Sequence, residues 1–378
     1  MRADSIFSPS FGNRPSRLIG REAVLAAFMA GLDSAPGSRD RAIVMLGQRG
    51  SGKTVLLWEL ADRAAEAGFV VASPTVASEY MLERIIEKIR DNAQSRLKKR
   101  KRRIAGGSIG ALGFSAGLQF AQGENEQRSF SLQLTNLARE LTRQNRGILI
   151  LVDELQANSP EVRQLVIAYQ ELVGEGLNVA LVMAGLPGAV SATLNDRVLT
   201  FLNRARKVEL GSLALGDIDS FFLRAFEESG LRISDDLRIR AARATQGSPY
   251  LLQLIGHNIA TRTPDDGFVD ADVVAGAIRA AQADFENDVC KTTLAALSGK
   301  DVEFLRAMAC DEEVSRMRDI AARMDVTPDY AQKYRKRLMD AGVVEASSRG
   351  SVAFAVPYLA DYLRKEGDAY YGPAQDAG

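Results

Sequence analysis

The sequence predicts an α/β protein built on a doubly wound parallel sheet, followed by a helical unit and a C-terminal winged helix. Three observations predict it. A glycine-rich stretch, Gly47 to Thr54, sits between an apolar run and an amphipathic one; a second apolar run ends in the carboxylates Asp153 and Glu154; and strand and helix patterns alternate until about Ser212 and then give way to helical periodicity alone.

The elements follow in order. Residues 1 to about 16, rich in Ser, Pro and Gly, read as an extended arm that leads into Leu18-Ile19-Gly20-Arg21-Glu22 and a helix through Ala30. Ala42 to Leu46 is a buried strand, and Val55 to Ala61 has the spacing of an amphipathic helix. Phe69 to Ser73 reads as a second strand and Tyr80 to about Leu97 as a helix. Six consecutive cations, Lys98 to Arg103, then precede a period-two stretch, Gly106 to Phe120, expected to be an inserted β-hairpin. The cations suit either a solvated helix end favoured by its own dipole or a contact with phosphates or a partner. Ile148 to Val152 is a strand buried on both faces, Pro160 to Val173 a helix, Leu177 to Gly185 another buried strand, and Lys207 to Leu210 the last.

From Asp217 to about Ala283 only helices are expected: Ile218 to Glu228, Asp235 to Ala244, Tyr250 to Thr261 and Ala271 to Phe285. Helices over Asp301 to Ala309, Val314 to Met324 and Asp329 to Ala341, with the turn Asp325-Val326-Thr327-Pro328, have helix-turn-helix spacing. Val343 to Ala346 and Ser351 to Val356 would form the wing. The expected division is 1–212 for the α/β unit, with the basic and hairpin insertion at 98–121. The helical unit takes 213–292, the winged helix 293–366, and a flexible tail 367–378.

The loop carries the chemistry. Gly47-Gln48-Arg49-Gly50-Ser51-Gly52-Lys53-Thr54 fits G-x-x-x-x-G-K-S/T, in which glycines let backbone N–H groups turn toward anionic oxygens at a helix N-terminus. Lys53 is placed to reach the β- and γ-phosphates of ATP and Thr54 to ligate Mg²⁺. Carboxylates at the C-terminal end of a central parallel strand lie beside such a loop, so Asp153 is expected to hold Mg²⁺ and Glu154 to polarise the attacking water. Their bland alternative is to cap the next helix. On the third helix of the winged unit, Ala331, Tyr334, Leu338 and Ala341 share one stripe, which leaves Gln332, Lys333, Lys336 and Arg337 outward; Arg349 lies in the wing turn. Between Val314 and Arg349 there are eight cations against five anions, a modestly positive face suited to duplex DNA or to a protein partner.

Composition narrows the classes. Basic and acidic residues balance at 48 each, so no global field draws the chain to nucleic acid or membrane, and any such contact must be local. Cys290 and Cys310 have no metal spacing and read as free thiols of a cytoplasmic protein. There is no apolar run long enough to cross a bilayer and no signal-peptide core at the N-terminus. The single histidine, His257, lies in an apolar helical stretch without a partner cluster and reads as structural.

Phosphate loop, Asp153-Glu154 strand, helical lid and winged helix, in that order, resemble AAA+ ATPases of the P-loop NTPase class, specifically the initiator clade of origin-recognition-like proteins and its bacterial relatives. The resemblance covers nearly the whole chain. It identifies Gly47 to Thr54, with the adjoining Val55, as Walker A and the Asp153-Glu154 strand as Walker B. It also implies that the lead-in segment containing Ile19 contacts adenine, and that Arg204 or Arg206 lies in the region of an arginine finger serving a neighbouring subunit, hence a homo-oligomer. The sequence departs from the family twice. Its sensor 1 strand ends Met183-Ala184-Gly185, without the usual polar residue. Its sensor 2 segment, Gly247-Ser248-Pro249-Tyr250, keeps the nucleotide-facing Pro249 but has Tyr250 where arginine is expected. Losing two γ-phosphate contacts implies a slow Mg²⁺-dependent cycle of ATP to ADP that controls binding of DNA or a DNA-bound partner. The alternative it leaves is a STAND-like nucleotide switch that binds a protein and no nucleic acid.

Overall fold

A computed structural model describes residues 6–9, 17–104 and 129–370 of the chain. Helix α1 (Glu22–Asp33) precedes β1 (Ala42–Gly47), the glycine-rich loop and α2 (Lys53–Glu66). Then come β2 (Val70–Val76), α3 (Met81–Ile104), α4 (Phe130–Arg143), β3 (Ile148–Leu155), α5 (Pro160–Gly174), β4 (Val179–Gly185), α6 (Pro187–Leu194) and β5 (Arg206–Leu210). The five strands form one parallel sheet in the order β2-β3-β4-β1-β5. Residues 148–152 and 179–185 are fully buried, as continuous apolar runs covered by helices on both faces must be. Alternate residues along β1 point to opposite faces, so Val44 joins the core under α3, α4 and α5 while Ile43 and Met45 join that under α1 and α2.

The helical unit comprises α7 (Leu215–Glu228), α8 (Asp235–Ala244), α9 (Pro249–Arg262) and α10 (Ala271–Phe285). A short parallel pair, β6 (Arg232–Ile233) and β7 (Phe268–Val269), also crosses it. Two residues per strand are too few for alternation to register, which is why helical periodicity alone is visible there. Without a break, α10 passes through one turn of π-helix, Glu286–Cys290, into α11 (Lys291–Ala295). Next are α12 (Gly299–Ala309), β8 (Val314–Arg316), α13 (Met317–Arg323), α14 (Pro328–Asp340), β9 (Val344–Ala346), β10 (Ser351–Phe354) and α15 (Leu359–Tyr370). Antiparallel pairing in the order β8-β10-β9 joins the strands of this unit into one three-stranded sheet beside α12, α13 and α14.

The differences from the sequence reading have physical causes. Val314 to Arg316 is a strand, because its backbone pairs with Ser351 to Ala353, a partner remote in sequence; only Met317–Arg323 of that predicted helix is helical. Helix α3 continues through the basic run to Ile104 instead of ending near Leu97. The hairpin expected at 106–120 lies outside the described residues. α15 continues to Tyr370, into the stretch expected to be a tail. The largest surprise is in the arm: Phe7 is completely buried, with its ring against Phe221, Phe222 and Phe226 of α7. It occupies a slot that exists because residue 256 is glycine, where a Cβ would come within 2.1 Å of the Phe7 ring. Ser8 N–H donates to the Gln253 amide oxygen at 2.8 Å, fixing the arm beside the same helix. A single apolar core then runs from this aromatic cluster through α10 and α12 to Leu363.

Candidate functional site

The glycine-rich loop leaves β1 at Gly47 and turns into α2 through two glycines with positive φ, Gly50 at 76° and Gly52 at 86°. Any side chain there would carry the strain of the left-handed region, so glycine is required by the turn itself. At Gly47 the limit is space, since a Cβ would meet Ser51 Oγ at 2.5 Å. The first N–H groups of α2 have no carbonyl behind them in the helix and face the loop's interior, where they and the dipole favour an anion. Ser51 Oγ is buried and finds no partner among the described residues. An unused donor inside a ring of backbone N–H groups is what a bound phosphate would satisfy.

Lys53, the first residue of α2, folds its ammonium over the loop and donates to the carbonyls of Gly47 at 2.8 Å and Gln48 at 2.6 Å. Burial lowers its pKa from 10.5 to about 8, while Asp153 and Glu154 pull the other way. Thr54 Oγ1 donates to Asp153 Oδ2 at 2.6 Å, and Asp153 Oδ1 accepts from the Glu154 N–H at 2.9 Å. A hydroxyl and a carboxylate, both hard oxygen donors and already in contact, fit Mg²⁺. Among the described residues there is no cluster of three or more acidic, histidine or cysteine side chains of the kind that would hold a metal without substrate. Mg²⁺ usually keeps waters and phosphate oxygens as its other ligands, so this sparse donor set suits it.

Walker B has an unusual backbone. Pairing of β3 with β4 slips between Val152 and Leu155, and Glu154 has φ 51°. This bulge turns successive side chains apart: Asp153 is 6% exposed whereas Glu154 faces solvent. It also disposes of the capping alternative, because α5 is capped by Ser159, whose hydroxyl accepts from the Val162 N–H at 3.3 Å. At the end of β4, Gly185 is held small by Leu155, whose Cβ would lie 2.7 Å from a Cβ at that position.

Gly47, Gln48, Arg49, Gly50 and Ser51 line a cavity of about 480 Å³ that is roofed by two other units. Pro249, at the start of α9, lines the same cavity; a Cβ on Gly52 would stand 3.9 Å from its ring. The far wall belongs to the C-terminal unit, with Glu312, Glu345, Phe354, Tyr358 and Arg364. Ile19 is half-buried against the helical core, next to Gly20 and Leu213. Arg21 donates to the Gly211 carbonyl on the cavity rim at 2.5 Å. Val55 is the third residue of α2, half-buried.

The remaining sites divide. Arg206 is paired with Asp40 at 2.8 Å, whereas Arg204, closing the 3-10 turn Thr200–Arg204, is exposed and makes no hydrogen bond or ion pair among the described residues. Gln332, Lys333 and Lys336 are exposed on α14, and Arg349 in the β9–β10 turn. Arg337 is exposed with them, as expected, and its guanidinium also binds the buried Asp301 carboxylate at 2.7 Å and Ser298 Oγ at 2.7 Å and lies over the Tyr334 ring. Asp301 and Ser298 form the capping box of α12, so Arg337 ties α14 to α12. Helical spacing places a residue on a face; it does not reveal that a neighbouring helix end offers a buried carboxylate.

Comparison with known proteins agrees with this geometry. Residues 17–182 match the AAA ATPase domain family, and residues 287–363 match a domain of unknown function, DUF8462. No curated protein matches the sequence significantly. Among solved structures, the Walker-type ATPase PABY2304 of Pyrococcus abyssi superposes with a TM-score of 0.66 at 17% identity, over 93% of this chain and 97% of that one. The Aeropyrum pernix ORC2 protein, in ADPNP and ADP complexes, gives 0.62 at 17% identity over 96% and 98%. Cdc6p from Pyrobaculum aerophilum gives 0.50 at 16% identity over 96% and 98%. Residues 17–182 thus carry an AAA ATPase domain, and the chain has the fold of these ATPase and origin-recognition structures along nearly its full length.

Proposed function

We propose that this protein is an ATPase whose slow, Mg²⁺-dependent cycle controls how its winged helix engages duplex DNA or a DNA-bound partner. The observation that carries this reading is the shared cavity: the loop that would hold the phosphates and the C-terminal unit that would hold the partner are walls of one space. The C-terminal end of α14 is seated on the nucleotide unit itself. A Cβ on Gly188 of α6 would lie 2.6 Å from Asp340 Cβ, and one on Gly342 would lie 3.4 Å from the Gln48 side chain. A change at the loop is therefore felt at the helix that carries Lys333 and Lys336.

In that reading Lys53 exchanges its two carbonyl partners for β- and γ-phosphate oxygens, and Ser51 Oγ and the loop N–H groups take the remaining charge. Thr54 and Asp153 are the residues that would hold Mg²⁺, which supplies charge neutralisation between the β- and γ-phosphates. Glu154 accepts the proton as water attacks the γ-phosphorus and the bond to ADP breaks. Arg204, exposed and uncommitted, suits a finger for a neighbouring copy better than the paired Arg206. Slowness is supported by two positions. Gly185 offers the water no polar side chain, and Tyr250 offers the phosphates no cation, which also keeps a protein-sensing switch as the second reading.

The test is steady-state ATP hydrolysis by the purified chain with and without duplex DNA, with Lys53→Ala and Glu154→Gln as controls. Stimulation by DNA that both variants abolish is the expected result. Hydrolysis indifferent to DNA would move the assignment to the protein-binding switch, and no hydrolysis in the wild type would remove the ATPase reading.

A further inference from the structure

Tyr250 stands where relatives of this fold are expected to have a phosphate-facing arginine, and its surroundings give it a different partner. Pro249 lines the cavity and Tyr250 does not. Its hydroxyl donates instead to Asp288 Oδ2 at 2.6 Å, and its ring packs on the buried Phe285 with centroids 6.0 Å apart. The same residue remains in touch with the phosphate loop, since a Cβ on Gly50 would stand 3.9 Å from Tyr250 Cβ. Its hydroxyl is held protonated, first by burial and then by the Asp288 carboxylate it serves.

Asp288 is the middle residue of the π-helical turn Glu286–Cys290, through which the helical unit runs into the C-terminal unit. A π turn carries one residue more than the α-helix on either side can hold, so it has a neighbouring state in which that residue is absorbed or released. Both ends are fastened to the C-terminal unit. Glu286 pairs with Lys365 of α15 at 2.6 Å, and the buried Cys290 thiol donates to the Pro357 carbonyl at 3.7 Å. Pro357 and Tyr358 return to the cavity wall, and Tyr358 Oη donates to the Ala244 carbonyl at the end of α8 at 2.6 Å.

We infer that Tyr250 is a positioning residue, and that its hydrogen bond to Asp288 is the link through which occupancy of the phosphate loop resets the π turn and, with it, the C-terminal unit. The inference rests on the nucleotide-binding reading above and names its route. Phosphates in the loop crowd Pro249 and the start of α9; a small displacement there lengthens the Tyr250–Asp288 bond, and the turn relaxes with Lys365 and Pro357 attached to it. Coupling carried by a discrete two-state element needs no movement of the sheet.

The two cysteines supply the readout. Cys290 is buried in the π turn and Cys310 is exposed, so a full-length Cys310→Ser protein reports on the turn alone through the rate of Cys290 labelling by a thiol reagent. Labelling should change about tenfold between the nucleotide-free protein and one saturated with ADP or a non-hydrolysable ATP analogue, a typical size for such coupling. In Tyr250→Phe, which keeps the ring and loses only the hydroxyl, the two rates should coincide while nucleotide affinity stays within about twofold. Asp288→Ala should behave like Tyr250→Phe, and Asp288→Asn, which retains an acceptor oxygen, should restore the response; loss through mere damage to the fold would not be so rescued. A Tyr250→Phe protein that keeps the full nucleotide response overturns the inference, as does a wild type that binds nucleotide without any change in Cys290. A wild type that binds no nucleotide overturns the reading beneath it as well.

Discussion

The floor and the roof of the cavity over the glycine-rich loop are built in opposite ways. The floor is the loop of residues 47–51, backed by Gly52 to Thr54 and by Asp153 and Glu154, and works through backbone: positive φ at Gly50, Gly52 and Glu154, and one bulge. The roof comes from segments more than sixty residues apart, Gln246 to Pro249 and Glu312 to Arg364, and works through side chains that packing alone brings together. Floors of this kind leave little room for substitution. Roofs tolerate more change, and side chains just outside this one have partners of their own: Tyr250 serves Asp288, and the exposed Arg337 also serves Asp301. In the proposed function the floor supplies the chemistry and the roof the control.

The sharpest break is in the floor. Lys53→Ala should lower hydrolysis by about a thousandfold, because the amine is the main side-chain cation on the transferred phosphoryl group. Glu154→Gln should lower it by about a hundredfold yet leave binding intact, since only the proton acceptor is lost. Measuring nucleotide binding beside turnover distinguishes them; equal loss of binding in both would contradict the separate roles assigned to the two residues.

Next in size comes a change confined to the roof's attachment. Gly188→Val places a branched side chain where even a Cβ meets Asp340 Cβ at 2.6 Å and Asp340 O at 2.7 Å. Prying α14 from α6 should cost about 1–3 kcal/mol in a denaturant titration. The loop is untouched, so basal hydrolysis should persist while any DNA response falls. A variant that hydrolyses no ATP would show that floor and roof are not separable in this way.

The same division explains what the sequence disclosed. All five central strands are legible, most of them as apolar runs bounded by polar or glycine residues, and their boundaries fall within about three residues of the observed ones. The floor is legible because its conformation demands particular residues. Phe7 was not, since nothing local distinguishes an aromatic residue in a Pro/Ser/Gly arm from a solvated one; the signal is Gly256, almost 250 residues away. Likewise the partners of Tyr250 and Arg337 are visible only after Asp288 and Asp301 have been brought to them, and the strand Val314 to Arg316 only after Ser351 pairs with Arg316.

Sharpening the comparison on the outer face, a Lys333→Glu/Lys336→Glu double variant should weaken duplex DNA binding by about tenfold or more and reduce the slope of affinity against salt by about 2. Arg337→Ala should act differently, by loosening α14 from α12. Its unfolding midpoint should fall, and the salt slope should change by well under the roughly 1 that one lost phosphate contact gives, because part of the guanidinium's charge is already spent on Asp301. A slope change of about 1 for Arg337→Ala would mean that Arg337 contacts a phosphate as fully as each lysine does.

The smallest expected effect returns to Lys53 and to pH. With its pKa near 8 in the free protein against 10.5 for an ordinary lysine, burial of the ammonium costs stability. That cost is present in full below about pH 8. It is relieved as pH rises toward 10.5, where the unfolded chain still holds a proton that the folded one has released. Nucleotide binding runs the other way. Phosphates require the charged amine and pull its pKa back up, so above pH 8 binding must take up a proton. Affinity for ADP should therefore be level below pH 7 and fall as pH rises past 8, by at most about tenfold per unit. Lys53→Arg, whose guanidinium stays charged throughout, should bind more weakly at pH 7 but lose the pH dependence. Binding isotherms at pH 7, 8 and 9 decide it: a wild-type affinity flat across that range would mean that the amine is already charged in the free loop, held by Asp153 and Glu154 more strongly than burial opposes it.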